Sequence, residues 1–148
     1  MNTQELIDTA KALVAGDKGL LAMDESNPTC NNRFARLGIP QAEEARRAYR
    51  ESMVTTPGLG ECISGAILYD ETIRQQKRDG TPFVKVITEA GIIPGITVDA
   101  GAKDMAGHPR ERITEGLDGL RDRLAESSHM DARLTPVFYR YRHQAPSQ

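Results

Sequence analysis

The chain has 148 residues, enough for one domain of ordinary size. Its 19 basic and 21 acidic residues leave a formal net charge of -2, which argues against a dedicated nucleic-acid surface, since such surfaces carry a strong basic excess. No run approaches the roughly 18 apolar residues that cross a bilayer, and the N-terminus brings acids early with no apolar signal region, so a cytoplasmic protein is expected.

The first predicted element is an amphipathic helix over residues 3–15, with Leu6, Ala10, Leu13 and Val14 at helical spacing. Asn2 followed by Glu5 gives a start signal, and Gly16 and Gly19 punctuate the end. Gly19-Leu20-Leu21-Ala22-Met23 then runs into Asp24-Glu25-Ser26. A short apolar run that ends abruptly in carboxylates and a hydroxyl reads as a buried parallel strand opening on a polar site. A second helix is predicted over 41–54, rich in Ala, Glu and Arg and broken at Pro57-Gly58. Another apolar run, residues 63–69, ends in Asp70-Glu71, and Asp79-Gly80-Thr81-Pro82 signals a turn. A third run, residues 92–98, ends in Asp99; Pro94 inside it implies an edge or a bend. From 114 to 127, Leu117, Leu120 and Leu124 mark one face of a further helix.

Helices thus alternate with unbroken apolar strands, the pattern of an α/β protein whose parallel sheet is covered on both faces. Acids follow every strand. Those at Asp70-Glu71 read as caps of the next helix, while three polar strand ends in succession also suit an active-site rim at the C-terminal face of a barrel. Cys30 and Cys62 have no metal-type or redox spacing and read as free, semi-buried thiols. His108, His129 and His143 are scattered and read as surface residues. No metal or cofactor is expected. No GxxxxGK[ST] or helix-opening GxGxxG is present, which sets aside a nucleotide-binding domain. After about Met130 the helical period disappears, and a short basic, aromatic tail comes next; it lacks a stacking platform for nucleic acid.

Several blocks together carry a resemblance. They are Lys18-Gly19-Leu20-Leu21-Ala22-Met23-Asp24-Glu25-Ser26, Arg33-Phe34-Ala35-Arg36-Leu37-Gly38, Glu43-Glu44-Ala45-Arg46-Arg47, Gly65-Ala66-Ile67-Leu68-Tyr69-Asp70-Glu71-Thr72, Pro94-Gly95-Ile96-Thr97-Val98-Asp99 and Thr114-Glu115-Gly116-Leu117-Asp118-Gly119-Leu120. In this order and spacing, residues 13–125 resemble the class I fructose-bisphosphate aldolases, bacterial branch. The resemblance implies a (β/α)8 TIM barrel of which this chain holds about the first three βα units. It implies a glycolytic lyase that cleaves fructose 1,6-bisphosphate to dihydroxyacetone phosphate and glyceraldehyde 3-phosphate through a lysine Schiff base, without metal or other cofactor. Such chemistry needs a lysine of lowered pKa, an acid–base carboxylate and cations for two phosphates. By resemblance Asp24 is the catalytic aspartate beside the scissile bond, Arg33 binds a phosphate, and Ser26 and Thr29 supply hydroxyls near that phosphate. The implied partner is a sugar phosphate, with no nucleic acid and no membrane, and the family is homo-oligomeric.

Three departures accompany the resemblance. Thr97 stands where the family's Gly-Ile-x-Val-Asp block carries a substrate-facing lysine, and a hydroxyl cannot replace that charge. Residues 132–139 lack the lysine of the family's next strand. The Schiff-base lysine itself belongs to a later strand. The chain therefore divides into residues 1–130, the front of the barrel, and 131–148, an irregular tail of the kind a shifted or truncated reading frame produces; translating the downstream DNA in the other frames tests this. The chain alone is expected to be inactive. The alternative is a non-catalytic piece that binds a sugar phosphate or a homologous partner chain. A barrel needs on the order of 250 residues, so three strands are expected to leave two open edges and a poorly soluble chain.

Overall fold

A computed structural model describes residues 3–133 and 135. Its elements in chain order are α1 (Thr3–Leu13), β1 (Gly19–Met23), α2 (Asn27–Arg36), α3 (Glu43–Val54), α4 (Leu59–Cys62), β2 (Ile63–Leu68), α5 (Asp70–Arg74), α6 (Phe83–Glu89), β3 (Ile93–Ile96), β4 (Ala102–Asp104), β5 (Arg112–Thr114) and α7 (Leu120–His129). The expected α/β architecture with a parallel sheet is present. β1, β2 and β3 form that sheet in chain order, and β4 and β5 form a separate antiparallel ribbon.

The apolar runs become strands because β2 lies between two neighbours and is buried along nearly its whole length. Leu68, Phe83, Ile87, Ile92, Ile96 and Met23 lie at the centre of the core, where α6 closes over the sheet. Met23 pairs with Leu68, and Leu68 with Ile96. The last residues of three strands therefore lie side by side. Their successors in the chain, Asp24, Tyr69 and Thr97, emerge along one edge, and the Thr97 N–H holds the Leu68 carbonyl at 3.0 Å to continue the ladder.

β1 departs from the expected buried strand. It pairs only with β2, and Leu20 is 49% exposed, because among the described residues no strand lies on its other side. β3 does run on an outer edge, as Pro94 implies, but that edge is not bare. The Arg133 N–H donates to the Pro94 carbonyl at 2.9 Å, and the Thr135 hydroxyl donates to the Ile96 carbonyl at 2.8 Å. Among the described residues both β1 and β3 are thus edge strands, as expected, with that of β3 partly covered. After α7 the chain returns to β3 and supplies donors for its outer carbonyls.

Other elements also differ from expectation. Helix α2 has no counterpart in the sequence reading; Pro28 beside three asparagines reads as a turn, yet proline in a first helical turn costs nothing. Only Cys30 and Phe34, four apart, face its packed side. α6 is seven residues long, too short to establish a period, although the turn before it is as expected: Asp79 accepts the Thr81 N–H at 2.9 Å. The helix expected from 114 begins at Leu120, because residues 112–114 form β5. Asp70 and Glu71 do not cap α5; Tyr69 holds the cap position, Asp70 pairs with Arg74 at 3.0 Å, and Glu71 turns toward α3. Cys30 is buried and Cys62 exposed, while His108 and His129 are exposed as expected. Asn2, His143 and most of the tail from 131 to 148 lie outside the described residues. Among the described residues no helix is long and apolar enough to cross a membrane.

Candidate active site at the C-terminal edge of the sheet

The strand register alone builds the site. Asp24 leaves β1 and Thr97 leaves β3, with Tyr69 between them. The Thr97 hydroxyl donates to Asp24 Oδ2 across the top of β2. Past Thr97, Asp99 accepts the Gly101 N–H at 2.8 Å and turns the chain into the β4–β5 ribbon. The ribbon is tied back to it by the Ala100 N–H to the Glu115 carbonyl at 2.8 Å. The result is a cleft of about 500 Å³ lined by Asp24, Ser26, Tyr69, Thr97, Asp99 and the ribbon. A polar cleft at the C-terminal ends of parallel strands is the usual place for an active site in α/β proteins. Among the described residues its lining carries two carboxylates and hydroxyls but no lysine or arginine.

Of the five residues singled out from sequence, the structure brings Asp24, Ser26 and Thr97 into one cleft. Thr29 is exposed one turn into α2, its hydroxyl 3.0 Å from that of Ser26. Arg33 does not line the cleft. Its Nη1 donates to Glu25 Oε1 at 2.5 Å, with the side chain 54% exposed. Tyr69 escaped the sequence reading because a tyrosine at the end of an apolar run looks like core.

Just after the strand-end residues that line the cleft, Glu25 and Glu71 enter two buried or partly buried ion-pair networks that sequence reasoning missed. In the first, Arg50 of α3 donates from Nη1 to Glu25 Oε2 at 2.5 Å and from Nη2 to the Glu25 carbonyl at 2.7 Å. In the second, Arg46 of α3 grips Glu71 with a two-pronged pair at 2.8 and 2.7 Å, joined by Asn27 Nδ2 at 2.8 Å, and reaches Asn31 Oδ1 at 3.0 Å. The available signal was the spacing of Arg46 and Arg50, one helical turn apart on α3.

These partners set the acidity of both carboxyls. Burial pushes Glu25 up, but hydrogen bonds from Arg50 and Arg33 outweigh it and hold the group below its ordinary value of 4.5. Glu71 is held below 4.5 chiefly by its hydrogen bonds from Arg46, against a smaller effect of burial. A carboxyl whose pKa falls on folding adds stability that is complete above its unfolded pKa and is lost as pH drops through the folded value. The urea midpoint is therefore expected to fall between pH 7 and pH 3, and Glu71→Gln is expected to lower the midpoint at pH 7 while narrowing that difference. Equal pH dependence in the two proteins would refute the assignment.

Comparison with known proteins adds to this geometry. A family model described as fructose-bisphosphate aldolase class-I matches residues 5–143, a span that passes Met130. A probable fructose-bisphosphate aldolase class 1 of Xanthomonas axonopodis pv. citri is 56% identical over 134 residues, 90% of this chain and 40% of that protein. The chloroplastic fructose-bisphosphate aldolase 3 of Arabidopsis thaliana is 47% identical over 132 residues, 89% of this chain and 34% of that protein. Among solved structures, the fructose-bisphosphate aldolase of Plasmodium falciparum, crystallised with TRAP and a small-molecule inhibitor, superposes with a TM-score of 0.86 at 42% identity, over 89% of this chain and 38% of that one. The chain spans about 40% or less of the length of these relatives.

Proposed function

Because the chain belongs to the class I fructose-bisphosphate aldolase family, we propose that it contributes the first three or so βα units of a (β/α)8 barrel, with one wall of the sugar-phosphate site. The observation that carries this reading is the meeting of Asp24, Ser26 and Thr97 in one cleft at the C-terminal ends of adjacent parallel strands. In this role Asp24 is the carboxylate beside the bond that breaks. Its anionic form can take a proton from the sugar hydroxyl as the carbon–carbon bond opens, the work of a positioned general base. The Thr97 hydroxyl holds that carboxylate in place. Ser26 and Thr29 offer hydroxyls toward a phosphate. Arg33 is held to Glu25 through Nη1 with its side chain half exposed, and its other guanidinium nitrogens would be the ones to meet a phosphate. The fuller family activity, cleavage of fructose 1,6-bisphosphate in glycolysis, together with a cytoplasmic location and assembly of like subunits, belongs to this same reading.

The five lysines of the sequence are Lys11, Lys18, Lys77, Lys85 and Lys103. None lines the cleft, and Lys18, Lys77 and Lys85 hold the Gly60 carbonyl, Asp79 and Glu89. These 148 residues therefore bring a binding wall and no imine-forming amine. Incubation with dihydroxyacetone phosphate followed by borohydride is expected to give no covalent adduct by mass spectrometry. A stoichiometric adduct on any of the five lysines would overturn this.

Thr97 supplies the complementary prediction. Thr97→Lys places a cation beside Asp24 in a cleft that has none, and is expected to tighten dihydroxyacetone phosphate binding about tenfold, or about 1.4 kcal/mol. Titration by NMR reads the change. Affinity that stays level or falls would remove Thr97 from the binding wall.

A further inference from the structure

We propose that Arg50 is a positioning residue for the candidate active site, holding the turn after β1 so that Asp24 is presented to the cleft in one orientation. The inference rests on the reading of Asp24 as a substrate-facing carboxylate.

Arg50 does not line the cleft. Its side chain is 2% exposed, and it is among the largest fully buried side chains of the chain. A guanidinium removed from water must find acceptors for its donors. Its acceptors among the described residues lie in one short stretch: Glu25 Oε2 at 2.5 Å, the Glu25 carbonyl at 2.7 Å and Cys30 Sγ at 3.3 Å. The face of Tyr49 lies 5.4 Å from the guanidinium carbon. Two donors thus converge on one residue, one gripping its side chain and the other its backbone. That residue is the immediate neighbour of Asp24.

Asp24 and Glu25 are pulled to opposite sides. Asp24 is held by Thr97, the residue after β3, Glu25 by Arg50 from α3 and by Arg33 from α2. A peptide anchored on both sides has little freedom to rotate, and a carboxylate that must meet a reacting hydroxyl gains from such preorganisation. Arg46, one turn earlier on α3, repeats the arrangement on the turn after β2 through Glu71, and Asn27 joins the two turns. One helix thereby fixes the spacing between two strand-end turns that both border the cleft.

Stability alone does not call for an arginine here. Buried ion pairs replaced by apolar residues of similar volume are often neutral or stabilising. The assignment therefore predicts a local loss of order that is separable from global stability.

The test uses the full chain with Arg50→Met, Arg50→Lys and, as a control for ordinary core loosening, Ile87→Val. Amide exchange is followed at Cys30, whose N–H bonds to the Ser26 carbonyl at 3.0 Å, with Ala66, Ile67 and Leu68 of β2 as the internal reference. Dihydroxyacetone phosphate affinity is followed by NMR titration. Arg50→Met is expected to speed exchange at Cys30 at least tenfold relative to β2 and to weaken binding at least tenfold. Arg50→Lys, which keeps a cationic donor, recovers part of both; Ile87→Val changes neither. Exchange at Cys30 that moves only in step with β2, or binding in Arg50→Met no weaker than in Ile87→Val, overturns the proposal. If Arg50→Met does not fold, Arg50→Lys carries the test: a local rise in exchange at Cys30 supports the proposal, and its absence overturns it. A wild-type chain that binds no dihydroxyacetone phosphate sinks the substrate reading, while the exchange result still decides whether Arg50 holds the turn.

Discussion

Replacing Phe83 with alanine is expected to lower the unfolding free energy by about 3–5 kcal/mol, in the range for deleting a fully buried aromatic ring. Phe83 has no measurable exposure and belongs to the central core cluster with Leu68, Ile87, Ile92 and Ile96. It also opens α6, where its N–H donates to the Gln75 carbonyl at 3.1 Å, so the backbone that carries the ring is anchored. Domain stabilities lie at roughly 5–15 kcal/mol, and this single change removes a large share of that. Urea denaturation reads it as a lowered midpoint with the same slope. Leu20→Ala is the useful contrast, since its side chain is already half in water; a loss there equal to that of Phe83→Ala would mean the core has been misplaced.

Gly60→Ala is expected to cost about 3 kcal/mol or more, at the upper end for inserting a methyl group into a packed site. A Cβ at position 60 would lie 1.9 Å from the Ala90 carbonyl oxygen and 3.0 Å from its carbon. Both are backbone atoms at the end of α6, so no side-chain rotation relieves the overlap. α4 and the end of α6 must move apart, and the Lys18 ammonium that holds the Gly60 carbonyl at 2.6 Å moves with them. Gly38→Ala isolates the other reason for glycine. Position 38 has φ 66 and open space around it, so it carries only the left-handed backbone penalty of about 1–2 kcal/mol. Thermal unfolding of both variants separates crowding from backbone strain. Equal losses would remove the close approach as the reason for Gly60.

How much of this could be read from the residues depends on the range of the interactions involved. β2 was legible because a central strand buries both faces and its run of apolar residues is uninterrupted. Asp24 was legible as a position because it closes such a run, whereas Thr97, inside the run of residues 92–98, stood out only through the family block around it. Their direct hydrogen bond was not legible, because it spans 73 residues and depends on the register of β1, β2 and β3. α2 was missed because its two packed residues are too few to make a period. β4 and β5 were missed because three-residue exposed strands leave no alternation. Arg50 is the hardest case. An arginine in a helix rich in Glu and Arg reads as surface, and only the turn carrying Glu25, 25 residues away, makes its burial possible.

The order of the sheet has a consequence for how the chain is made. Strand order follows chain order, so each strand docks on the edge its predecessor has just left. Synthesis from the N-terminus can build such a sheet outward, one unit at a time. When Arg133 and Thr135 emerge, the most recent edge, on β3, at once receives donors for two of its carbonyls. β1 is in the opposite position. Of the three strands of the sheet it is made first, and among the described residues its outer side gains no strand. Of this sheet's strands, β1 with its half-exposed Leu20 therefore offers the backbone groups that a chaperone or a second nascent chain would find vacant to pair with.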